Sequence, residues 1–405
     1  MKLYNLRIED RTDGRSYLIA DVDCAFSSAK QLWFSVESQY RDWLTSDVFD
    51  AFLITALYPA HFYQEKIEVE GHVSSRIWRS ISQLLPTIIA NFLRSEKHLQ
   101  NKITIAGIRE AVKLDQTHVG TGFSGGVDSF CTIQDHLFDE TDEDWKLDTL
   151  FFFNIGQNGN VSNTDTRERV LGRWQITQQV AKELNLNAVM MDSNMFAFYQ
   201  PHWEYDAGLL CRIASILVFQ RALSKYYISS GYNYSEAMDF AHVHAHKELC
   251  HFADLYLPTL LSPDGCELIL DGAQYLRSEK IVRIADMKIA QQHLNVCVNN
   301  SPEYIGENCS ICEKCLRTEM ALDIAGKLSE FDTVFDINKF KSQISLYKND
   351  LILAYNLSPA AKDNVDFANE HNYPMPTLSA AKLYDFKRKS RRFAGRVLRK
   401  LHILK

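Results

Sequence analysis

Two kinds of hydrophobic pattern follow one another along the chain. Up to about residue 110, apolar and polar positions alternate in "SYLIADVD" and "KIEVEGHV", and the amphipathic run "SSRIWRSISQLLPTIIANFLR" follows. Alternation is typical of half-buried strands, whereas apolar residues three or four positions apart indicate a helix. We therefore predict an N-terminal mixed α+β lobe over residues 1–112, of unknown role.

From about residue 115 the pattern changes to short apolar segments that alternate with longer helical runs. The predicted strands are "HVGTGF", "LDTLFFFNI", "AVMMD" and "YYISSG", and the runs between them are "VDSFCTIQDHLF", "TRERVLGRWQITQQVAKELN" and "DAGLLCRIASILVFQRALSK". Strands that alternate with helices are typical of a parallel sheet flanked by helices. Residues 113–290 are therefore predicted to form an α/β domain.

The C-terminal part divides into a cysteine-rich segment over residues 291–330 and a helical region over residues 331–405. Within that region we expect "SPAAKDNVDFANEHNYPMP" to be a loose segment. A basic tail follows it.

A length of 405 residues indicates more than one lobe. A composition of 46% apolar and 23% charged residues is that of a soluble globular protein. It contains no uninterrupted apolar run of about 18 residues, and its start has no basic-then-apolar leader, so we expect a cytoplasmic protein. Without an export signal, its nine cysteines favour thiolate or metal chemistry over disulfides.

The net charge is unevenly distributed. Residues 382–405 contain ten Lys or Arg and one acid, Asp385, which gives +9, so the rest of the −7 chain carries −16. In the tail, apolar residues recur at helical spacing, which indicates a basic amphipathic helix: Phe393, Val397, Leu401 and Leu404. Three partners stay open: an anionic membrane surface, which would make the protein peripheral, an acidic protein surface, or RNA. The acidic body argues against a broad nucleic-acid-binding face.

The string "FSGGVDSF" falls where a predicted strand gives way to a predicted helix. Backbone amides and the positive end of a helix dipole converge at such a turn, which suits an anion. Two glycines would let the backbone approach phosphate oxygens, two hydroxyls would donate, and Asp128 would hold Mg²⁺ or orient the loop. The alternative is a tight glycine turn without a ligand. The candidate nucleotide-binding residues are Ser124, Gly125, Gly126, Val127, Asp128 and Ser129.

A second motif is the cysteine spacing C-x11-C-x2-C-x2-C, formed by Cys297, Cys309, Cys312 and Cys315. Four thiolates at knuckle-type spacing suit tetrahedral Zn²⁺, and a fully ligated site of this kind is structural. An Fe–S cluster is the competing metal centre.

The loop resembles the PP-loop of the N-type ATP pyrophosphatases, and it is neither a Walker motif nor a dinucleotide fingerprint. The resemblance implies a doubly wound parallel sheet, with ATP cleaved between its α- and β-phosphates, and therefore adenylation of a carboxylate with release of pyrophosphate. Asp128 and Ser129 would be catalytic. It also implies that Asp192 and Ser193, in "MMDSN" at the end of a later strand, reach the adenosine. Their alternative role is a capped turn at the strand end.

The loop followed by the cysteine cluster is similar to the 7-cyano-7-deazaguanine synthase family, over about residues 115–325. That family implies a ligase that uses ATP and ammonia to convert a 7-carboxy-7-deazaguanine to a nitrile, with zinc at the cysteines. Lys280 matches its phosphate-side lysine, whereas Arg317 lies one position nearer the last cysteine than in the family. Relatives in bacterial antiviral operons imply an alternative, in which an amine on a protein is the acceptor. A non-catalytic ATP-binding scaffold is another.

Arg277, in "DGAQYLRSEK", is a candidate partner for a substrate carboxylate, because a guanidinium can bind a carboxylate in bidentate fashion. A solvated salt bridge is the alternative role for this side chain.

Overall fold

The computed structural model describes residues 1–85, 102–156, 164–199, 208–243, 254–299, 301–304 and 306–400. The chain forms two compact units, Met1–Gln274 and Tyr275–Lys405, which are described separately below. No helix in the described ranges is both long and apolar enough to cross a membrane.

Within the residues that the structure describes, the first unit is built on one mixed sheet of ten strands. Their bounds are β1 Lys2–Asp10, β2 Arg15–Asp23, β3 Gln31–Glu37, β4 Ile67–Val73, β5 Ile103–Ile108, β6 His118–Gly122, β7 Thr149–Asn154, β8 Asn187–Ser193, β9 Leu223–Ser229 and β10 Glu267–Asp271. The order across the sheet is β10-β9-β6-β7-β8-β3-β2-β1-β4-β5. The predicted strands of both halves are confirmed.

The strands from β6 to β10 are parallel to one another. The chain runs outward from β6 through β7 to β8, and then returns to the other side of β6 to form β9 and β10. The order of the strands thus reverses between β6 and β9. In open α/β sheets, the crevice at the carboxyl ends of the strands beside such a reversal is where ligands bind.

The N-terminal strands extend the same sheet. Strand β3 pairs antiparallel with β8, with Phe34 opposite Ser193 and Ser35 opposite Asp192. In β4 the alternation predicted from the sequence is visible, since Ile67 is buried and Glu68 beside it is exposed. The first 112 residues therefore contribute strands that are continuous with the α/β sheet.

Along the chain, the helices of the first unit lie between its strands. They are α1 Asp50–Phe62, α2 Ser75–Gln83, α3 Val127–Ile133, α4 Thr164–Glu183, α5 Phe196–Tyr199, α6 Gly208–Leu217, α7 Tyr234–Val243 and α8 Leu257–Leu260. Helix α1 is apolar on nearly every side and is buried from its first residue to His61, where it packs against α6. The predicted amphipathic run after residue 74 begins as α2, and its part at 86–94 lies outside the described residues.

The described part of the second unit is mainly helical, and one of its helices lies within the cysteine-rich segment. Its helices are α9 Arg277–Ile284, α10 Lys288–His293, α11 Glu313–Ile324, α12 Ile337–Ala354, α13 Pro359–Glu370 and α14 Leu378–Lys400. The helical region after residue 331 is confirmed.

The expectation of a loose segment after Leu357 was wrong, because most of it forms α13. Ser358 caps this helix, its hydroxyl accepting a hydrogen bond from the amide of Ala361, and Pro359 occupies the first turn. A proline there costs no intrahelical hydrogen bond, and its fixed φ suits a helix start. The segment was predicted to be loose because it is rich in Asn, Asp and Pro, and the capping signal of Ser358 followed by Pro359 was overlooked.

An α/β fold with a mostly parallel sheet and a separate four-cysteine segment is thus confirmed. The boundaries at residues 112, 290 and 330 stay predictions.

Candidate functional site

Residues Ser124–Ser129, called the loop below, include the turn after β6 and the first three residues of α3, so they lie between strand and helix as the sequence predicts. Gly125 has a φ of +76°, a conformation in which a side chain would be strained. The Ser129 hydroxyl donates to the carbonyl of Gly126 over 2.9 Å, whereas Ser124 is exposed and its hydroxyl makes no hydrogen bond to any described residue. The loop therefore has a rigid end at Ser129 and an open end at Ser124.

A cavity of about 300 Å³ lies at the carboxyl ends of β6, β7 and β9, beside the reversal of strand order. Ser124, Asp128 and Ser129 line it from the loop. Aromatic rings of Phe151 and Tyr226 form an apolar part of the wall. Small-molecule sites combine an apolar wall with a few polar groups in this way, although about 300 Å³ is at the small end of their range.

Two arginines line the same cavity, Arg173 from α4 and Arg212 from α6. The Nη2 atom of Arg212 lies 3.6 Å from Oδ1 of Asp254, a carboxyl whose pKa is raised to about 6 by burial. Sequence reasoning missed both arginines. A signal was present for Arg212, which is the one charged residue in the apolar helix "GLLCRIASIL".

Tyr226 is 3% exposed, yet its hydroxyl makes no hydrogen bond within the described parts of the chain. A Cβ placed on Gly122 would lie 3.1 Å from that oxygen, so the hydroxyl faces the end of β6, just before the loop. Burial raises the pKa of Tyr226 far above its usual value, so the phenol stays protonated as a hydrogen-bond donor. No motif in the sequence marks this tyrosine as a site residue.

The end of α3 and the residues after it are held by a network to the last strand of the sheet. Thr132 donates to one oxygen of Asp271 over 2.5 Å, and Nε2 of His136 lies 3.0 Å from the other. The His136 ring stacks on Tyr227, with ring centroids 3.5 Å apart. Because Asp271 ends β10, these contacts fix the helix behind the loop to the sheet.

Asp192 and Ser193 are engaged by the N-terminal strands. Asp192 accepts a hydrogen bond from Asn154 over 2.7 Å and pairs with Arg15, whose Nη2 is 2.9 Å from Oδ2. The Ser193 hydroxyl donates to the carbonyl of Trp33 over 2.8 Å. Among the described residues, neither belongs to the wall of the cavity. Their role toward adenosine stays a prediction.

The four cysteines of the second unit lie together, as their spacing predicts. The sulfur atoms of Cys297, Cys309, Cys312 and Cys315 are all within 4.8 Å of one another, and those of Cys309 and Cys315 are 4.0 Å apart. Tetrahedral zinc with Zn–S bonds of about 2.3 Å requires sulfurs about 3.8 Å apart, so this set fits the ion with a small contraction.

The backbone amides near the sulfurs and the pKa values of the thiols also suit zinc binding by these four cysteines. The amides of Asn299 and Cys312 lie 3.3 Å from the sulfurs of Cys297 and Cys309, respectively, where they stabilise thiolates. A hydrogen bond from Cys315 lowers the pKa of Cys312 to about 4, whereas burial raises that of Cys297 to about 11. All four would be thiolates together only beside a cation such as Zn²⁺.

The remaining candidates also belong to the second unit. Lys280 lies in the first turns of α9 and is 2% exposed, and Arg277 begins that helix. The Nη1 atom of Arg317 is 3.9 Å from Oε1 of Glu313 on α11. The functions predicted for Arg277 and Lys280 stay predictions.

No protein-family model matches the chain, and a search of curated proteins finds no match for it either. The function must therefore be argued from the cavity and the cysteine cluster themselves.

Proposed function

We propose that this protein binds ATP in the cavity of the first unit and uses it to adenylate a carboxylate, with release of pyrophosphate. The observation that carries the proposal is that the Ser124–Ser129 loop and the two arginines line one cavity beside the reversal of strand order. A cavity that combines a glycine loop, hydroxyls and two guanidiniums suits a polyanionic ligand.

The groups of the cavity divide into three kinds. The loop amides and the Ser124 hydroxyl would donate to phosphate oxygens, and Arg173 and Arg212 would neutralise their charge. Phe151 and Tyr226 supply an aromatic wall suited to a flat ring. The cavity is small for a whole nucleotide, so part of ATP would extend beyond it.

The proposed reaction is an in-line displacement. A carboxylate oxygen attacks the α-phosphorus, the bond to the bridging oxygen of the β-phosphate breaks, and pyrophosphate leaves. Ammonia or an amine then attacks the acyl carbon, and AMP leaves with the carboxylate oxygen. Asp128 would hold Mg²⁺, which neutralises charge on the leaving pyrophosphate.

The substrate and acceptor follow only from the resemblance of the loop and the cysteine cluster to the 7-cyano-7-deazaguanine synthase family and its relatives. A 7-carboxy-7-deazaguanine-like acid with ammonia is the first candidate pair, and an amine on a protein, as in an antiviral system, is the second acceptor. The role of Lys280 rests on the same resemblance, whereas that of Arg277 rests on the ability of a guanidinium to bind a carboxylate in bidentate fashion. Zinc at the four cysteines would be structural, because a site closed by four thiolates leaves no position for a substrate.

The test separates binding from turnover. Calorimetric titration with ATP and Mg²⁺ should show binding, and pyrophosphate should form when 7-carboxy-7-deazaguanine and ammonia are added. Asp128→Asn should abolish pyrophosphate release and leave the fold intact. Its matched control is Asp264→Asn. Asp264 is an exposed turn residue just before the amino end of β10, whereas the loop follows the carboxyl end of β6.

Each result has a definite consequence. Binding without pyrophosphate release over a panel of carboxylates would favour the non-catalytic ATP-binding scaffold. Absence of ATP binding would refute the nucleotide site, and unchanged turnover in Asp128→Asn would remove Asp128 from it.

A further inference from the structure

The last helix in the described part of the chain, α14, already uses one of its faces inside the second unit. It packs against α12, and Ala381 is completely buried. The guanidinium of Arg388 forms a two-pronged ion pair with Asp350, with nitrogen–oxygen distances of 2.9 and 3.1 Å. This face is therefore occupied.

The opposite face carries large apolar side chains in solvent. Leu383 is 55% exposed and Phe386 is 69% exposed. At about 100° per residue, these two positions lie about 60° apart and about 140–160° from Ala381. An exposed leucine alone is ordinary, but two large apolar groups on one exposed stripe indicate an interaction surface.

The exposed side of α14 is cationic. Lys382 and Lys387 flank the apolar stripe, and both are exposed. The one acid after residue 381, Asp385, is paired with Arg388 at 2.9 Å and with Lys389 at 2.7 Å. Negative charge on this helix is thus neutralised, while the lysines beside Leu383 and Phe386 are available.

The stripe continues in the sequence beyond these residues. The backbone stays helical to Lys400, so positions 386, 393 and 397, occupied by Phe, Phe and Val, share a face. The predicted continuation at Leu401 and Leu404 lies outside the described residues.

We infer that α14 is a docking helix for an anionic lipid surface, with Leu383 and Phe386 inserted among the acyl chains and the flanking lysines at the headgroups. A cationic helix with a narrow apolar stripe is the pattern of interfacial helices. A bilayer accepts such a stripe along its whole length, whereas a protein partner would need a groove that matches each side chain. The inference does not depend on ATP binding.

The experiment measures co-sedimentation of the full-length protein with vesicles, with protein alone as the baseline. Vesicles of phosphatidylcholine are compared with vesicles that also contain phosphatidylglycerol, at low and at high salt. Leu383→Ser with Phe386→Ser removes the apolar stripe. Leu357→Ser is the matched control, because this leucine is 80% exposed in the same unit but lies in the turn after α12.

Binding should require the anionic lipid and should weaken at high salt. Replacing Lys382 and Lys387 by glutamine should weaken it about 30-fold, at about fivefold for each charge. Lys341→Gln, a change at an exposed lysine of α12, should have little effect. The stripe variant should lose binding and keep its circular dichroism spectrum.

Three outcomes would overturn the inference. The first is the absence of binding to either vesicle, and the second is equal binding to both. The third is a wild-type oligomer that the stripe variant dissociates, which would make α14 an interface between copies of the chain, with the acidic body as the partner of its charges.

Discussion

Arg212 and Asp254 form an ion pair beside the cavity of the first unit, with 3.6 Å between Nη2 and Oδ1. The carboxyl is 8% exposed, and the guanidinium lines the cavity. A guanidinium held beside a buried acid by their opposite charges can bind a ligand anion in the cavity through its N–H groups.

Arg212→Gln should weaken ATP binding by about tenfold or more, since a hydrogen bond to a charged group contributes about 1.5–3 kcal/mol. Calorimetric titration measures the change. Arg79→Gln, at an exposed arginine of α2, is the control and should bind as the wild type does. Equal affinities for the two variants would remove Arg212 from the site.

Tyr226 and Tyr227 form a natural pair of test positions. The hydroxyl of Tyr226 makes no hydrogen bond in the described chain, whereas that of Tyr227 donates to the carbonyl of Trp145 over 2.8 Å. Tyr226→Phe should therefore keep the stability of the protein and lower its affinity for ATP. Tyr227→Phe should lower the free energy of unfolding by about 1 kcal/mol. Urea unfolding and ATP titration of both variants check this, and a destabilised Tyr226→Phe that binds ATP normally would contradict it.

Asp50 should make the stability of the protein depend on pH. Burial raises its pKa in the folded protein to about 6 from 3.8, although it accepts hydrogen bonds from Ser74 and Gln220. A raised acid pKa means that the stabilisation is complete below about pH 4 and is lost as the pH rises to about 6. The loss is about 3 kcal/mol, at about 1.4 kcal/mol per pKa unit.

Asp50→Asn should remove this dependence. The free energy of unfolding of the variant, relative to the wild type, should rise by about 3 kcal/mol between about pH 4 and about pH 7. Urea unfolding over that range measures it, with Asp264→Asn as the exposed control. Parallel curves for the wild type and Asp50→Asn would show that Asp50 titrates normally.

Elemental analysis should find one zinc ion per chain, bound by the four clustered cysteines. Cys312→Ser should lower solubility and thermal stability more than ATP affinity, since a closed thiolate site acts by folding its own segment. Cys24→Ser is the control, because this cysteine lies in the first unit and is not one of the four clustered cysteines. A stable protein without metal would exclude a structural zinc.

The features of this protein that follow from the sequence alone are local ones. Alternation predicted β4, and the short apolar runs predicted β6 to β9. Successive side chains of a strand point to opposite faces, so burial of one face produces alternation and burial of both produces an apolar run. The loop at Ser124–Ser129 and the cysteine cluster were found for the same reason: turn chemistry and metal ligation act over a few residues. The capping serine of α13, equally local, was overlooked.

The contacts between residues that are distant in the sequence are visible only in the folded chain. Strand β3 lies between β2 and β8. Arg15, the first residue of β2, therefore reaches across β3 to Asp192, a residue predicted to contact adenosine. The cavity joins Ser124 to Arg212 and Tyr226, about 90 to 100 positions further along the chain. No periodicity or spacing encodes such contacts, because they form only when the strand order brings the carboxyl ends of β6 and β9 together. Local patterns set the elements, and the packing of the whole sheet determined the site.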